Sequence, residues 1–454
     1  MDSVLKLGQF LFAREKNHLV AFDGDRRYLQ QDLCADVAWC MQRLEDVKDH
    51  KCALVFGNSY FFVVALLSCL YSGKTPVLLG THQESIVSKQ DDLFDLIMTD
   101  RAGVFDDSFL VGHAPKNGPA LKEGLEETDF SEAYILMYTS GSTGQSKEVK
   151  KFIWELDAEA VLTAEKFRDR IRHSILCSTV YPNHLYGLTF RIFMPLATGT
   201  AFNSGLIHYT EQLSALGGRH TYALISTPAF LKRIDPKLRS PDILFILSAG
   251  GKLDFSYVKQ MHEWCGCFTD EIYGSTESGV IAHRYNDSEN KAWDMFDGIE
   301  LEQQGEEFIL RSPIVKAPME LDDRIMFCAP RSFMLLGRRD KVIKIEDQRV
   351  SLTEIRDLIM SVEETEDCEV VPVEKGRRAS LGAVVVLKKE YRGLPAEEQE
   401  QRNREIERKI QAYLHEKTDA FAVPRYFVFV SEIPVNQMNK RVYTQLQELF
   451  YAPR

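Results

Sequence analysis

The stretch YTSGSTGQSK, residues 138–147, sets small hydroxyl residues around Gly141 and Gly144 and ends on Lys147. The apolar run YILMYT (134–139) that enters it reads as a buried strand, and a helical pattern begins soon after Lys151. A glycine-rich turn leaving a strand exposes successive backbone N–H groups that can cradle an anion. The hydroxyls of Ser140, Ser142 and Thr143 add donors, and Lys147 adds a full positive charge. The stretch therefore predicts a phosphate-binding loop; the competing reading, a surface loop of ordinary turn formers, is disfavoured by the flanking strand and helix. Its spacing is not that of a Walker loop, because Gly144 stands three residues before Lys147 and Glu148 occupies the following position.

Outward from this loop, short apolar runs alternate with helical patterns. CALVFG (52–57) and TPVLLG (75–80) bracket the apolar helix FFVVALLSCLY (61–71), and SILCSTVY (174–181), TYALIST (221–227), ILFILSAGG (243–251) and DEIYGSTES (270–278) follow. Buried strands alternating with helices predict an α/β fold with layered, largely parallel sheets. Beyond about residue 290 the texture changes. IELEQQGEEFILRSP (299–313) reads as a hairpin, FMLLGRRDKVIKIE (333–346) as a strand pair, LTEIRDLIMSV (352–362) as a helix and ASLGAVVVLKK (379–389) as a strand. EEQEQRNREIERKIQAYLHE (397–416) reads as an amphipathic helix with a solvated charged face. A length of 454 residues is too great for one core.

A net charge of −12 argues against broad nucleic-acid binding. The nine cysteines show no C-x-x-C pair or zinc spacing, so reduced thiols and a cytoplasmic location are expected. The apolar run at 61–71 is too short to span a bilayer, and residues 1–18 lack the pattern of a signal peptide.

The loop resembles the phosphate loop of the adenylate-forming superfamily, which includes acyl-CoA synthetases, peptide-synthetase adenylation domains and beetle luciferases. It departs from the family pattern at Ser146, where proline is usual, and at Glu148, where glycine is usual. Further segments are similar to family motifs and occur in the family's order. YPNHLYGL (181–188) resembles the segment bordering the acyl pocket, which implicates His184. SAGGKL (248–253) resembles the turn along the adenine and acyl carbonyl, with Ser248, Gly250 and Gly251. IYGSTESG (272–279) resembles the signature in which Tyr273 stacks on adenine, Gly274 follows, Thr276 contacts the α-phosphate and Glu277 holds Mg²⁺; Glu277 also stands where a helix cap would. Asp323, fourteen residues before Gly337, and Arg338 match the ribose contacts, and Asp340 matches the hinge. IPVNQMNK (433–440) resembles the C-terminal lysine motif, with Lys440 six residues after Pro434 and Asn439 in place of glycine.

The resemblance implies a large nucleotide- and acyl-binding domain of several subdomains (1–339) and a small, mobile α+β domain (340–454) carrying the catalytic lysine. It implies a ligase that joins a carboxylic acid to AMP with release of pyrophosphate, then transfers the acyl group to the thiol of CoA or of an acyl carrier protein's phosphopantetheine. Thr139, Ser140, Gly141, Ser142, Thr143, Gly144 and Lys147 would bind ATP, and Mg²⁺ would be required. An aryl or fatty acyl acid is expected, because the 181–188 segment lacks the aspartate that binds an amino acid's ammonium. Asp347, where glycine is usual, leaves the acceptor thiol open. A catalytically silent nucleotide-binding protein on the same fold is the competing reading. A dinucleotide oxidoreductase is excluded by the lack of G-x-G-x-x-G after an early strand.

Overall fold

The computed structural model describes residues 4–451 apart from 82–83, 141–145, 219, 252, 306, 339–341, 346–347, 376–377, 436–440 and 442. Its mixed α/β architecture has the layered sheets and helices that the alternation of patterns predicts.

A six-stranded sheet runs in the order Phe109–Leu110, Leu96–Thr99, Lys51–Val55, Thr75–Leu78, Tyr134–Ser140 and Ser146–Phe152. The first five strands are parallel. Helix Ser59–Tyr71 crosses over between two of them, and Asn58 caps it by accepting the Tyr60 N–H at 2.9 Å. Every residue of this helix but Phe61 is buried, as expected for a segment apolar on all sides.

The last strand corrects the expectation for the opening stretch. Tyr134–Ser140 does not lead through a loop into a helix. It pairs antiparallel with Ser146–Phe152, from Tyr134 opposite Phe152 to Ser140 opposite Ser146, so residues 141–145 connect the two strands of a hairpin. The long helix Ile153–Ile171 begins only after the second strand, where Glu155 accepts the Phe152 N–H at 2.8 Å.

The second sheet has eleven strands. Its centre is parallel: Phe202–Asn203, Ile175–Ser178, Thr221–Ser226, Asp242–Ser248 and Thr269–Ser275. Antiparallel strands Gly279–Tyr285, Trp293–Met295, Ser332–Arg338 and Asp323–Ala329 extend one side. Helix Ile153–Ile171 buries Ile153, Leu156, Ala160, Phe167 and Ile171, at helical spacing, in the main apolar cluster. Phe167 is fully buried, 5.3 Å from Phe245 and 6.3 Å from Phe296 between ring centres. Trp293 and Phe296 are buried packing residues, as their surroundings in sequence imply.

The strands read at 333–346 both exist but do not pair with each other. Ser332–Arg338 belongs to the eleven-stranded sheet, whereas Val342–Ile345 pairs with Gln348–Ser351 in a separate ribbon. A three-stranded sheet follows, Thr365–Lys375, Arg378–Leu387 and Tyr426–Phe429, with helices Leu352–Met360 and Ala396–Lys417. The charged helix buries Ile406, Ile410 and Leu414 and leaves its charges outside. No described helix is long and apolar enough to cross a membrane.

Truncating Phe167 leaves a void where four rings converge. Phe167→Ala is expected to cost about 3–5 kcal/mol, measured as earlier urea unfolding of the large core, while nucleotide binding by the folded fraction is retained.

Candidate functional site

Strand alternation decides which groups of the hairpin face the eleven-stranded sheet. On Ser146–Phe152, Lys147, Val149 and Lys151 share one face and Glu148, Lys150 and Phe152 the other. Lys147 Nζ lies 2.7 Å from Glu277 Oε1. Glu148 is turned away: Tyr138, directly opposite in the ladder, donates its hydroxyl to Glu148 Oε2 at 2.6 Å. Its negative charge is therefore held on the strand face opposite to Lys147.

Glu277 lies in the tight connection between strands Thr269–Ser275 and Gly279–Tyr285. The sequence allowed a helix cap here, but the segment returns directly as a strand. Ser275 and Ser278 brace the turn reciprocally, each backbone N–H donating to the other's hydroxyl at 3.0 and 3.1 Å. Gly274 is required by proximity, since a Cβ there would fall 2.2 Å from the Gly279 carbonyl oxygen. Thr276, half-buried, sits next to Glu277 in the same turn.

The strand that delivers this turn is anchored by buried charge. Glu271 receives Arg284 at 2.6 Å and the Asn286 amide at 2.8 Å, and Asp270 pairs with Arg170 at 2.6 Å. Two residues beyond Glu271, Tyr273 donates its hydroxyl to Asp323 Oδ2 at 2.7 Å. Its ring centre lies 5.8 Å from those of Trp293 and Phe333. Asp323 in turn stands opposite Arg338 in the antiparallel ladder. The structure thus brings the adenine-stacking tyrosine and the ribose aspartate named from sequence into direct contact.

Ser248 ends strand Asp242–Ser248, fully buried, and Gly250 (φ +90°) and Gly251 follow it at the surface. This is the carboxyl edge of the parallel strands, where open α/β sheets bind ligands. His184 precedes the short helix Leu185–Gly187, half-buried, and its carbonyl accepts the Leu188 N–H at 2.7 Å. Of the other residues named from sequence, Thr139 and Ser140 lie on the first hairpin strand. Gly141, Ser142, Thr143, Gly144, Asp340 and Lys440 lie outside the described residues.

Electrostatics at Glu277 are a balance. Burial raises its carboxyl, but hydrogen bonds from Lys147, its own backbone and Ser275, with the Lys147 charge, hold it below the ordinary glutamate value. The Lys147 ammonium is raised in turn, first by its hydrogen bond to Glu277. Because the folded value of Glu277 is depressed, its contribution to stability is present above the ordinary carboxylate range and lost as pH falls through the lowered value. Among the described residues no group of three His, Cys, Asp or Glu side chains could hold a metal. One carboxylate suits Mg²⁺ that keeps waters and takes its other ligands from phosphates, and does not suit a dedicated protein cage.

The family of AMP-binding enzymes matches residues 81–298. Among solved structures, ATP-bound MatB from Rhodopseudomonas palustris aligns with a TM-score of 0.78 at 16% identity, covering 98% of each chain. A benzoate CoA ligase from Burkholderia xenovorans LB400 aligns at 0.76 and 17% identity, covering 98% of this chain and 100% of that one. O-succinylbenzoate coenzyme A synthetase (MenE) from Bacillus subtilis, in complex with AMP, aligns at 0.73 and 18% identity, over 97% and 98%. A search of curated protein sequences found no match. Over 98% of its length the chain has the fold of adenylate-forming enzymes. The turn and ladder residues described above lie in the segments read from sequence as motifs. Two groups escaped that reading: Lys151, in a lysine pair that looks solvent-facing, and Glu159, inside a helix. Alternation would have flagged Lys151, which shares its strand face with Lys147.

Removing the Lys147 charge leaves burial less opposed at Glu277. Lys147→Met is expected to move the Glu277 titration upward, checked by carboxyl carbon NMR of labelled protein with Glu277→Gln as the assignment control.

Proposed function

We propose that the protein activates a carboxylic acid, aryl or fatty acyl, as an acyl-AMP with release of pyrophosphate. It then passes the acyl group to a phosphopantetheine thiol, on CoA or on an acyl carrier protein. The observation that carries this reading is the convergence of Lys147, the Glu277 turn and the Tyr273–Asp323 pair. Together they offer a cation, a metal-binding carboxylate, an aromatic face and a hydroxyl acceptor to one nucleotide. The similarity to ligases for benzoate and O-succinylbenzoate supports an aryl acid as the first class to try.

A carboxylate acylates poorly because its leaving group would be oxide; as a mixed anhydride with AMP it has a stable one. The obstacle is bringing two anions together, so catalysis is mainly positioning and charge neutralisation. Tyr273 and Asp323 would hold adenosine by its base and ribose. Lys147 would exchange its contact with Glu277 for the β- and γ-phosphates. Glu277 would hold Mg²⁺, which supplies positive charge to the same phosphates. Lys440 is proposed to bridge the carboxylate and the α-phosphate. Asp340 is proposed as the hinge about which residues 340–454 turn to admit the thiol.

ATP–pyrophosphate exchange across a panel of carboxylic acids tests the reading; a silent panel with AMP still bound would favour a nucleotide-binding protein instead. Lys440→Ala is expected to cost ~3–4 kcal/mol of transition-state stabilisation, hundreds-fold in acid-dependent pyrophosphate release. An unchanged rate would overturn the role of Lys440. Asp340→Pro is expected to slow thioester formation more than adenylation, and equal rates for both half-reactions would remove the hinge.

A further inference from the structure

Lys151 is one of the largest fully buried side chains in the protein, with 2% exposure. A lysine in such a place costs several kcal/mol unless its charge is met. Its ammonium donates to the backbone carbonyl of Glu277 at 3.3 Å. Two pleats earlier on the same strand face, Lys147 reaches the carboxylate of that same residue. One strand therefore holds Glu277 by both its side chain and its main chain.

The other end of the turn is held from the long helix. Glu159, 1% exposed, accepts the Val280 N–H at 2.9 Å. It also lies 3.4 Å from the position a Cβ at Gly279 would take, and Gly279 adopts φ +67°. Burial pushes the Glu159 carboxyl up, opposed first by the Lys151 charge and then by the Val280 N–H and Thr189. Lys151 and Glu159 thus grip residues 277 and 280 from the two ends of a turn only a few residues long.

We propose that Lys151 and Glu159 are positioning residues: two buried side chains that clamp the 275–280 turn through its main chain and so set the direction of the Glu277 carboxylate toward metal-bound nucleotide. Neither residue touches the reactants. The inference rests on the reading that Glu277 serves Mg²⁺ and nucleotide, but not on which acid is activated. Partners that orient a metal-binding carboxylate act on metal affinity rather than on nucleotide contact as such, and their loss commonly costs about 10–100-fold.

The test is calorimetric binding of ATP to the full chain over a range of Mg²⁺ concentrations, without acid or thiol, with thermal melting to confirm folding. Lys151→Met is expected to raise half-saturating Mg²⁺ about ten-fold while leaving Mg²⁺-free ATP binding unchanged. Lys151→Arg should recover part of the loss. Glu159→Gln keeps an oxygen for the Val280 N–H but makes that hydrogen bond weaker by removing the charge, so it should shift the Mg²⁺ dependence in the same direction and less. It decides the matter if Lys151→Met does not fold. Lys150→Met, on the opposite strand face over the Tyr134 ring, is the control and should bind as the parent does. An unchanged Mg²⁺ dependence in the folded variants overturns the proposal, as does an equal loss of ATP binding with and without Mg²⁺. A parent protein that binds MgATP but turns over no acid removes the ligase reading and leaves this clamp standing. A parent with no Mg²⁺-dependent nucleotide binding overturns both.

Discussion

Lys147 and Glu277, 130 residues apart in sequence, meet across the junction of two sheets. The six-stranded sheet supplies the cation and the eleven-stranded sheet the carboxylate. With side chains 61% and 35% exposed, the pair adds little to stability. Its importance is geometric: it keeps together the two charges that, on the proposed function, a triphosphate would engage together. The exposed ammonium compensates the partly buried Glu277 carboxylate.

Around this contact the polar groups are arranged by the pleat of the strands. Odd-numbered lysines of Ser146–Phe152 point to the Glu277 turn, and even-numbered side chains point to Tyr134 and Tyr138. On strand Thr269–Ser275 of the other sheet, Glu271 and Tyr273 fall on the same side, two residues apart, so a buried anchor and a site residue share a face. Gly274 then allows the backbone to fold tightly on Gly279, closing the turn that carries Thr276 and Glu277.

The parallel strands and the apolar helix Ser59–Tyr71 were legible because burial on both faces leaves continuous apolar runs. The Tyr273, Glu277 and Asp323 segments were legible because their residue types keep family spacing. The hairpin form of the phosphate loop was not, since KEVKKF contains three lysines and reads as polar lead-in to a helix. Only tertiary packing shows that Lys151 is buried and that Glu148 is tied back by Tyr138. The pairing of the 333–346 strands was misjudged for a related reason: adjacent strands usually pair, but these two find partners in different sheets.

The ladder between Tyr134–Ser140 and Ser146–Phe152 has a consequence for how this protein can vary. Because neighbouring residues face opposite ways, a slip of one position would present Glu148 instead of Lys147 to Glu277, replacing attraction with repulsion. The Tyr138–Glu148 hydrogen bond and the seat of Lys150 over Tyr134 are what resist that slip. Two aromatic rings on the far face of the ladder thus act as guardians of the sign of the charge turned toward Glu277.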